Sequence, residues 1–271
     1  MEAVGISAKK IRRYWGKAMS KQWALITGAT VGIGDCFTRL LASNGYNLII
    51  NARSLDKLEE RAEYLRKTHN VEVVVLQADL ATDCEKVEAY IQSHEIEVLI
   101  NNAGFGLIQS FLSSAIEDEQ RVLDVLVRAP MRLMHAVLPQ MRKRDSGIII
   151  NVSSTAAFIA GGHYSAAKSY LTVMSESLHT QMLPTNVKVS SLNPGFTRTE
   201  FHQRAGMKMG AIPDFMWLDG DFLVKQAWKD AVAGKAISIP GWQYKVLRTI
   251  IALAPRRTVR KMGMSLRTKQ R

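Results

Sequence analysis

Tyr164 and Lys168 stand four residues apart in the stretch SSTAAFIAGGHYSAAKSY, residues 153–170. On an α-helix that interval brings both side chains to one face, a turn apart. A phenol so placed can exchange a proton, and an ammonium beside it favours the phenolate. The alternative is a half-buried aromatic next to a lysine in water, and the pair alone does not choose. His163 adjoins the tyrosine; it is either a second acid or a helix-terminal residue facing solvent, and the second is expected.

A second group of residues suits phosphate. TGATVGIG carries Gly28, Gly32 and Gly34 at the mouth of a helical pattern. Glycines let backbone approach a pyrophosphate, and a helix N-terminus offers free N–H groups, here about Ile33, and a positive dipole end. The hydroxyl of Thr30 lies in the same turn. Some twenty residues on, where an acid would hold a ribose 2′-hydroxyl, stand Ala52 and Arg53. An arginine there can pair with a 2′-phosphate in two-pronged fashion, which favours NADP over NAD. Asp79 and Leu80 follow, the carboxylate placed to accept from an adenine amino group. In NNAGFG, Asn101, Ala103 and Gly104 let a flat base lie against backbone. In NPGFTRT, Pro194 and Gly195 turn the chain, and Thr197 and Thr199 lie within reach of a cofactor.

Each of these groups follows a short apolar run. WALITG (23–28), YNLIINA (46–52), VEVVVLQA (71–78), IEVLINNAG (96–104), GIIINVS (147–153), VKVSSLNPG (187–195) and AISIPG (236–241) have the composition of buried strands. Between them lie helical patterns, among them one from Glu117 to Arg144 and one over 163–183. Continuous apolar strands alternating with helices predict a doubly wound, mostly parallel α/β sheet of about seven strands in a single domain. Such sheets bind ligands at the carboxyl ends of their strands.

Composition narrows the function. Cys36 and Cys84 are the two cysteines of the 271-residue chain, too few for a disulfide framework and suited to a reducing, cytoplasmic setting. No Cys/His spacing predicts a metal site. The net charge of +12 is concentrated at the ends. Residues 1–21 hold six Lys/Arg and one Glu, and residues 241–271 hold nine Lys/Arg and no acid, which leaves −2 for the rest. A near-neutral globule with basic ends argues against a nucleic-acid-binding domain. The expected organisation is a basic N-terminal extension (1–21), a catalytic domain (22–241) and a basic amphipathic C-terminal segment (242–271). The basic ends are expected either to touch an anionic membrane surface peripherally or to pack on the domain. Met19 is an alternative start, and residues 1–20 lack the apolar core of a signal peptide.

Taken together, TGATVGIG, the DL of Asp79–Leu80, NNAG, Ser…Tyr-x-x-x-Lys and NPGFTRT resemble the short-chain dehydrogenase/reductase family over residues 23 to about 241. The resemblance implies a Rossmann fold and an NADP(H)-dependent hydride transfer between nicotinamide and a carbonyl or secondary alcohol. It makes Tyr164 the acid/base. Lys168 lowers its pKa and holds the nicotinamide ribose, and Ser154 bonds the substrate oxygen. It also implies a homodimer or homotetramer. Two departures stand out. Leu126 occupies a slot that many relatives fill with a water-binding asparagine. The ten residues from Ser154 to Tyr164 are fewer than the family's usual interval, so Gly161 and Gly162 are expected to absorb the turn. Strand alternation lets only one of Ser153 and Ser154 face substrate, and Ser154 is preferred.

Residues 200–221 are rich in Met207, Met209, Phe215, Met216 and Trp217. They form either a lid for an apolar substrate (a ketone, 3-oxoacyl or steroid-like compound) or simple packing on the sheet. The competing functional reading is a catalytically weak or inactive NADP-binding sensor or scaffold, for which Leu126 is the best support.

Overall fold

The computed structural model describes residues 22–107, 109–200 and 212–270, with backbone alone for 264–270. Seven strands form one fully parallel sheet: β1 (Trp23–Thr27), β2 (Asn47–Ala52), β3 (Val73–Gln77), β4 (Val98–Asn101), β5 (Gly147–Val152), β6 (Val187–Leu192) and β7 (Ile237–Ser238). Their order is β3-β2-β1-β4-β5-β6-β7. The chain therefore reverses its direction of winding between β1 and β4, and a crevice opens at the carboxyl ends of those strands.

The central strands are buried on both faces because helices cover both. One core holds Phe37 and Leu41 of α1 (Gly32–Ser43), Leu58 and Leu65 of α2 (Leu55–His69), and Leu223 and Ala227 of α7 (Gly220–Val232). The other holds Val87 and Ile91 of α3 (Cys84–Ser93), Leu133 and Val137 of α5 (Ala129–Arg144), and Leu171 and Leu178 of α6 (His163–Met182). The first core also includes Tyr244, which is 1% exposed and lies on α8 (Trp242–Leu253). The basic C-terminal segment is thus anchored to the globule by Tyr244, with Ile251 and Val259 also buried. It continues through Pro255 into α9 (Arg256–Gln270).

Most expected strands run past the observed ladders at their carboxyl ends. Gly28, Ala78, Asn102 to Gly104, Ser153 and Asn193 to Gly195 leave the sheet, and these are the residues that turn into the crevice. The last strand is reduced to two residues: Pro240 has no N–H to donate, and Gly241 turns the chain with a φ of +87°.

The helix expected from Glu117 to Arg144 runs through without a break, but its ladder changes midway. It comprises α4 (Ile116–Leu123), a π-helical turn over Asp124–Arg128, and α5. Pro130 cannot donate to the carbonyl of Leu126, so the regular ladder has a gap there. The wide turn directs Val125 and Leu126 inward, where they are 7% and 1% exposed. Such π turns often lie at functional sites.

Candidate active site

The turn after β1 needs its glycines. Gly28 and Gly32 have φ of +64° and +58°, in the left-handed region that side chains disfavour. A Cβ on Gly28 would lie 2.9 Å from Ala103 Cα, and one on Gly34 would lie 2.1 Å from the Gly28 carbonyl oxygen. The α1 N-terminus has no side-chain cap, so the N–H groups of Gly32, Ile33 and Gly34 point out of its end. Thr30 is half-buried in the same turn. Thr199, arriving from β6, packs against it: its Cβ would lie 3.2 Å from a Cβ on Gly32. This is a backbone cradle for an anion, and it fits the pyrophosphate of a dinucleotide.

Asn102 holds the cradle in place. Its side-chain amide donates to the carbonyls of Thr27 (2.9 Å) and Gly28 (3.0 Å). Thr27 Oγ1 in turn accepts from the backbone N–H groups of Asn102 and Ala103, both at 3.0 Å. The neighbouring Asn101 is spent elsewhere: its amide donates to Asn151 Oδ1 at 2.8 Å, which ties β4 to β5. The side chain that grips the glycine turn is therefore Asn102, and the role left to Asn101 is to line the crevice.

At the adenosine end Arg53 is exposed just past β2, beside the start of α2. Among the described residues no carboxylate pairs with it. Asp79 is not a free acceptor. Arg121 of α4 pairs with it at 2.6 Å, and the Ala81 N–H donates to its other oxygen at 3.0 Å. Burial pushes the Asp79 carboxyl up, but these bonds and the charges of Arg121 and Arg53 outweigh it and hold the group below its ordinary value. Arg121 has no signal in the sequence, because it is 42 residues from its partner. Leu80 is buried between the adenosine end and the centre of the crevice.

At the other end, the two serines separate in function. Ser153 is buried and donates to the Lys168 carbonyl (2.8 Å) while sharing a hydrogen bond with Thr172 Oγ1 (2.7 Å). Ser154 faces the crevice, accepts from the Ala156 N–H at 3.1 Å to cap a 3₁₀ turn (Thr155–Phe158), and hydrogen-bonds Tyr164. Asn193 holds that serine's backbone, donating to the Ser154 carbonyl at 3.0 Å. Of the two glycines expected to absorb the short loop, Gly162 does so with a φ of +91°. Gly161 instead makes room for the Ser165 hydroxyl, which would lie 2.7 Å from its Cβ.

Lys168 is 4% exposed, its Nζ is 5.7 Å from the centre of the Tyr164 ring, and it donates to the Val152 carbonyl at 2.7 Å. An ammonium has three protons to place, so this buried group has donors to spare for ribose hydroxyls. Burial pushes Lys168 down to about 8. Burial likewise pushes Tyr164 up to about 12, against the opposing pull of the Ser154 hydrogen bond. Leu126 lies beside Lys168: both line a cavity of about 10 Å³ with Thr27, Asn101 and Ala103. That is room for about one water, with a hydrocarbon wall where the relay asparagine was absent from the sequence.

His163 does not face solvent, contrary to expectation. Its side chain is 16% exposed and its Nδ1 bonds the buried Glu119 carboxylate of α4. Nothing in the local sequence announces Glu119, since the tertiary fold alone brings the start of α4 to the start of α6.

The turn after β6 is locked from the C-terminal segment. Gly195 meets the Tyr244 ring so closely that a Cβ on it would lie 1.9 Å away, while the Pro194 carbonyl accepts from the Thr155 N–H at 2.9 Å. Tyr244 OH accepts from the Phe196 N–H (2.8 Å) and donates to the Met216 carbonyl (2.5 Å). Thr197 is buried and donates to the Gly195 carbonyl at 3.1 Å. Met207 and Met209 of the expected lid lie outside the described residues. Of its remainder, Met216 packs on the first core, Trp217 stacks near Phe196 (5.9 Å), and Phe215 is exposed.

These features have counterparts in known proteins. The short chain dehydrogenase family model matches residues 22–209. An uncharacterised oxidoreductase of Staphylococcus saprophyticus is 34% identical over 79% of this chain and 87% of its own length. Human 17-beta-hydroxysteroid dehydrogenase type 3 is 31% identical over 64% of this chain, which spans only 58% of that relative. A short-chain dehydrogenase from Sphingobium yanoikuyae, solved in complex with NADPH, superposes with a TM-score of 0.78 at 29% identity, covering 86% of this chain and 96% of that one. With the glycine turn, the Ser154–Tyr164–Lys168 group and the parallel sheet all in place, the chain belongs to the short-chain dehydrogenases, oxidoreductases on a nicotinamide-binding fold.

Proposed function

We propose that this protein is an NADP(H)-dependent oxidoreductase acting on the carbonyl, or the corresponding secondary alcohol, of an apolar substrate. The observation that carries this reading is the hydrogen-bonded Ser154–Tyr164 hydroxyl pair with the buried Lys168 amine behind it. When bound, the nicotinamide supplies or accepts the hydride. The chain's own residues manage the oxygen and its proton. Ser154 and Tyr164 present two hydroxyls to one carbonyl oxygen, which polarises it, and Tyr164 delivers its proton as the oxygen gains charge. A phenol held near 12 is protonated at neutral pH, so Tyr164 has a proton to give once the substrate oxygen becomes the stronger base. Lys168 is already desolvated, so its ammonium acts at short range on any tyrosinate that forms.

Arg53 without an acidic partner, next to Ala52, supports NADP over NAD, as do the NADPH held by the Sphingobium relative and an NADP-dependent 3-hydroxy acid dehydrogenase of Salmonella typhi (33% identical). An apolar substrate is supported by the relatives' printed activities, a hydroxysteroid dehydrogenase and a very-long-chain 3-oxoacyl-CoA reductase of rat (30% identical). Exposed Phe111, Leu112 and Phe215 supply apolar surface on the described chain. The expected homodimer or homotetramer is best served by α4, α5 and α6, where Leu123, Met131, Tyr170 and Val173 are exposed. Peripheral contact with a membrane fits the same substrate class.

The test is single-turnover reduction of an apolar ketone at matched NADPH occupancy. Tyr164→Phe should retain cofactor binding and lose roughly 10²–10⁴-fold in rate, the range for a missing general acid. Equal rates in wild type and variant would replace the enzyme with the sensor or scaffold reading that Leu126 favours.

A further inference from the structure

Helix α8 has apolar residues on two opposite faces, and one of them is covered. Tyr244 (1% exposed) and Ile251 (9%) point into the globule. Trp242 (71%), Val246 (50%), Ile250 (57%) and Leu253 (83%) point away from it. Their spacings of four, four and three residues align them in a single stripe along the helix. Isolated exposed apolar residues are ordinary, but a continuous stripe marks an interaction surface.

The surroundings of the stripe are uniformly basic. Lys245 and Arg248 flank it on α8, and Arg256, Arg257, Arg260 and Lys261 follow on α9, all of them exposed. No Asp or Glu occurs between residues 241 and 271, against nine Lys and Arg. A second copy of the chain would be a poor occupant, because two-fold pairing through this stripe would press one such basic segment onto another. An anionic bilayer matches both features at once: acyl chains for the stripe and headgroup phosphates for the cations. We propose that α8 lies flat in the headgroup region of an anionic lipid surface, with Trp242, Val246, Ile250 and Leu253 at the acyl boundary. Among the described residues no helix is long and apolar enough to cross a membrane, which agrees with a helix lying in the plane.

The proposal stands on this helix and the cations of α9, and is independent of the reaction. It does, however, place the membrane next to the catalytic loop. Tyr244 props the Gly195 turn from the covered face of α8, and Arg248 stacks over Phe158 at 5.7 Å. On α9, Gly263 presses so closely on Ala160 that a Cβ there would lie 2.5 Å from the Ala160 carbonyl oxygen. The helices that would rest on lipid are thus the ones that back the Ser154–Tyr164 loop.

Cosedimentation of the full chain with vesicles tests this, using phosphatidylcholine alone and phosphatidylcholine with phosphatidylglycerol. The chain should bind the anionic vesicles, less so in high salt and less so to the neutral ones. Replacing both Ile250 and Leu253 with Gln should weaken anionic binding about tenfold or more while leaving the thermal midpoint and NADPH affinity unchanged. Arg256→Glu with Arg257→Glu, further from the core, should abolish the preference for anionic lipid. Tyr164→Phe should bind vesicles like the wild type, which separates this result from any failure of the catalytic reading. Wild-type indifference to anionic vesicles, or undiminished binding by the Gln pair, would overturn the proposal. So would a solution dimer that the Gln pair dissociates, since a second copy would then be what covers the stripe.

Discussion

The two ends of the crevice are built from different materials. At the phosphate turn the functional groups are backbone N–H groups, and what holds them is close packing: Gly28 against Ala103, Gly34 against the Gly28 carbonyl, and Asn102 clamped to both sides of the turn. At the catalytic end the functional groups are side chains, and what tunes them is burial, which moves Tyr164 up and Lys168 down in opposite directions. The adenosine end differs from both, since the Arg53 side chain is exposed and no carboxylate among the described residues pairs with it. Damage should therefore be structural in the turn, electrostatic around Lys168, and confined to selectivity at Arg53.

Gly34→Ala should have the largest effect. Its Cβ would meet a backbone oxygen at 2.1 Å, and no side-chain rotation can relieve a backbone clash. Overpacking typically costs about 1–3 kcal/mol, and a backbone clash belongs at the upper end of that range. The expected outcome is loss of cofactor binding by titration with a clear fall in thermal midpoint. A variant that binds NADPH normally would mean that the turn is not the cradle.

Lys168→Met should separate catalysis from stability. The rate should collapse along with ribose binding, yet the cofactor-free variant should be more stable than wild type at neutral pH. The folded lysine has its pKa depressed to about 8 from 10.5, so below pH 8 the folded state keeps a buried charge that the unfolded chain holds in water. Between about pH 8 and 10.5 the unfolded chain binds the extra proton, and wild-type stability rises with pH. The advantage of the variant, on the order of 3 kcal/mol at pH 7, should shrink across that window in urea titrations. A pH-independent difference would show that Lys168 is not charged and desolvated as its burial implies.

Arg53→Ala should act most gently. It should leave the fold intact and reduce the preference for NADPH over NADH by roughly tenfold or more, the loss of one charge-assisted contact at about 1.5–3 kcal/mol. Unchanged relative affinities for the two cofactors would remove Arg53 from the site.

Much of this was legible before any coordinates, because the signals were local. A buried parallel strand is a short apolar run, and a glycine turn or a Tyr-x-x-x-Lys interval is a pattern of neighbours. The parallel sheet and the place of the site at its carboxyl ends followed from those. Errors fell where the determining partner was distant. His163 was expected in solvent because Glu119, which holds it, lies 44 residues away. The helix over 117–144 runs through as expected, but its π turn does not show in the apolar periodicity, since it sits where Pro130 withholds a hydrogen bond.

The sequence by itself determined the alternation of elements, the residues available for chemistry and the absence of an acid at the end of β2, all of which depend on residue type and spacing. Tertiary structure alone decided that Asn102 rather than Asn101 grips the turn, and that Tyr244 seals the loop after β6 from the C-terminal segment. It also decided the proton affinities of Tyr164 and Lys168. Their shifts come from the removal of water, and how much water a side chain loses is a property of everything packed around it.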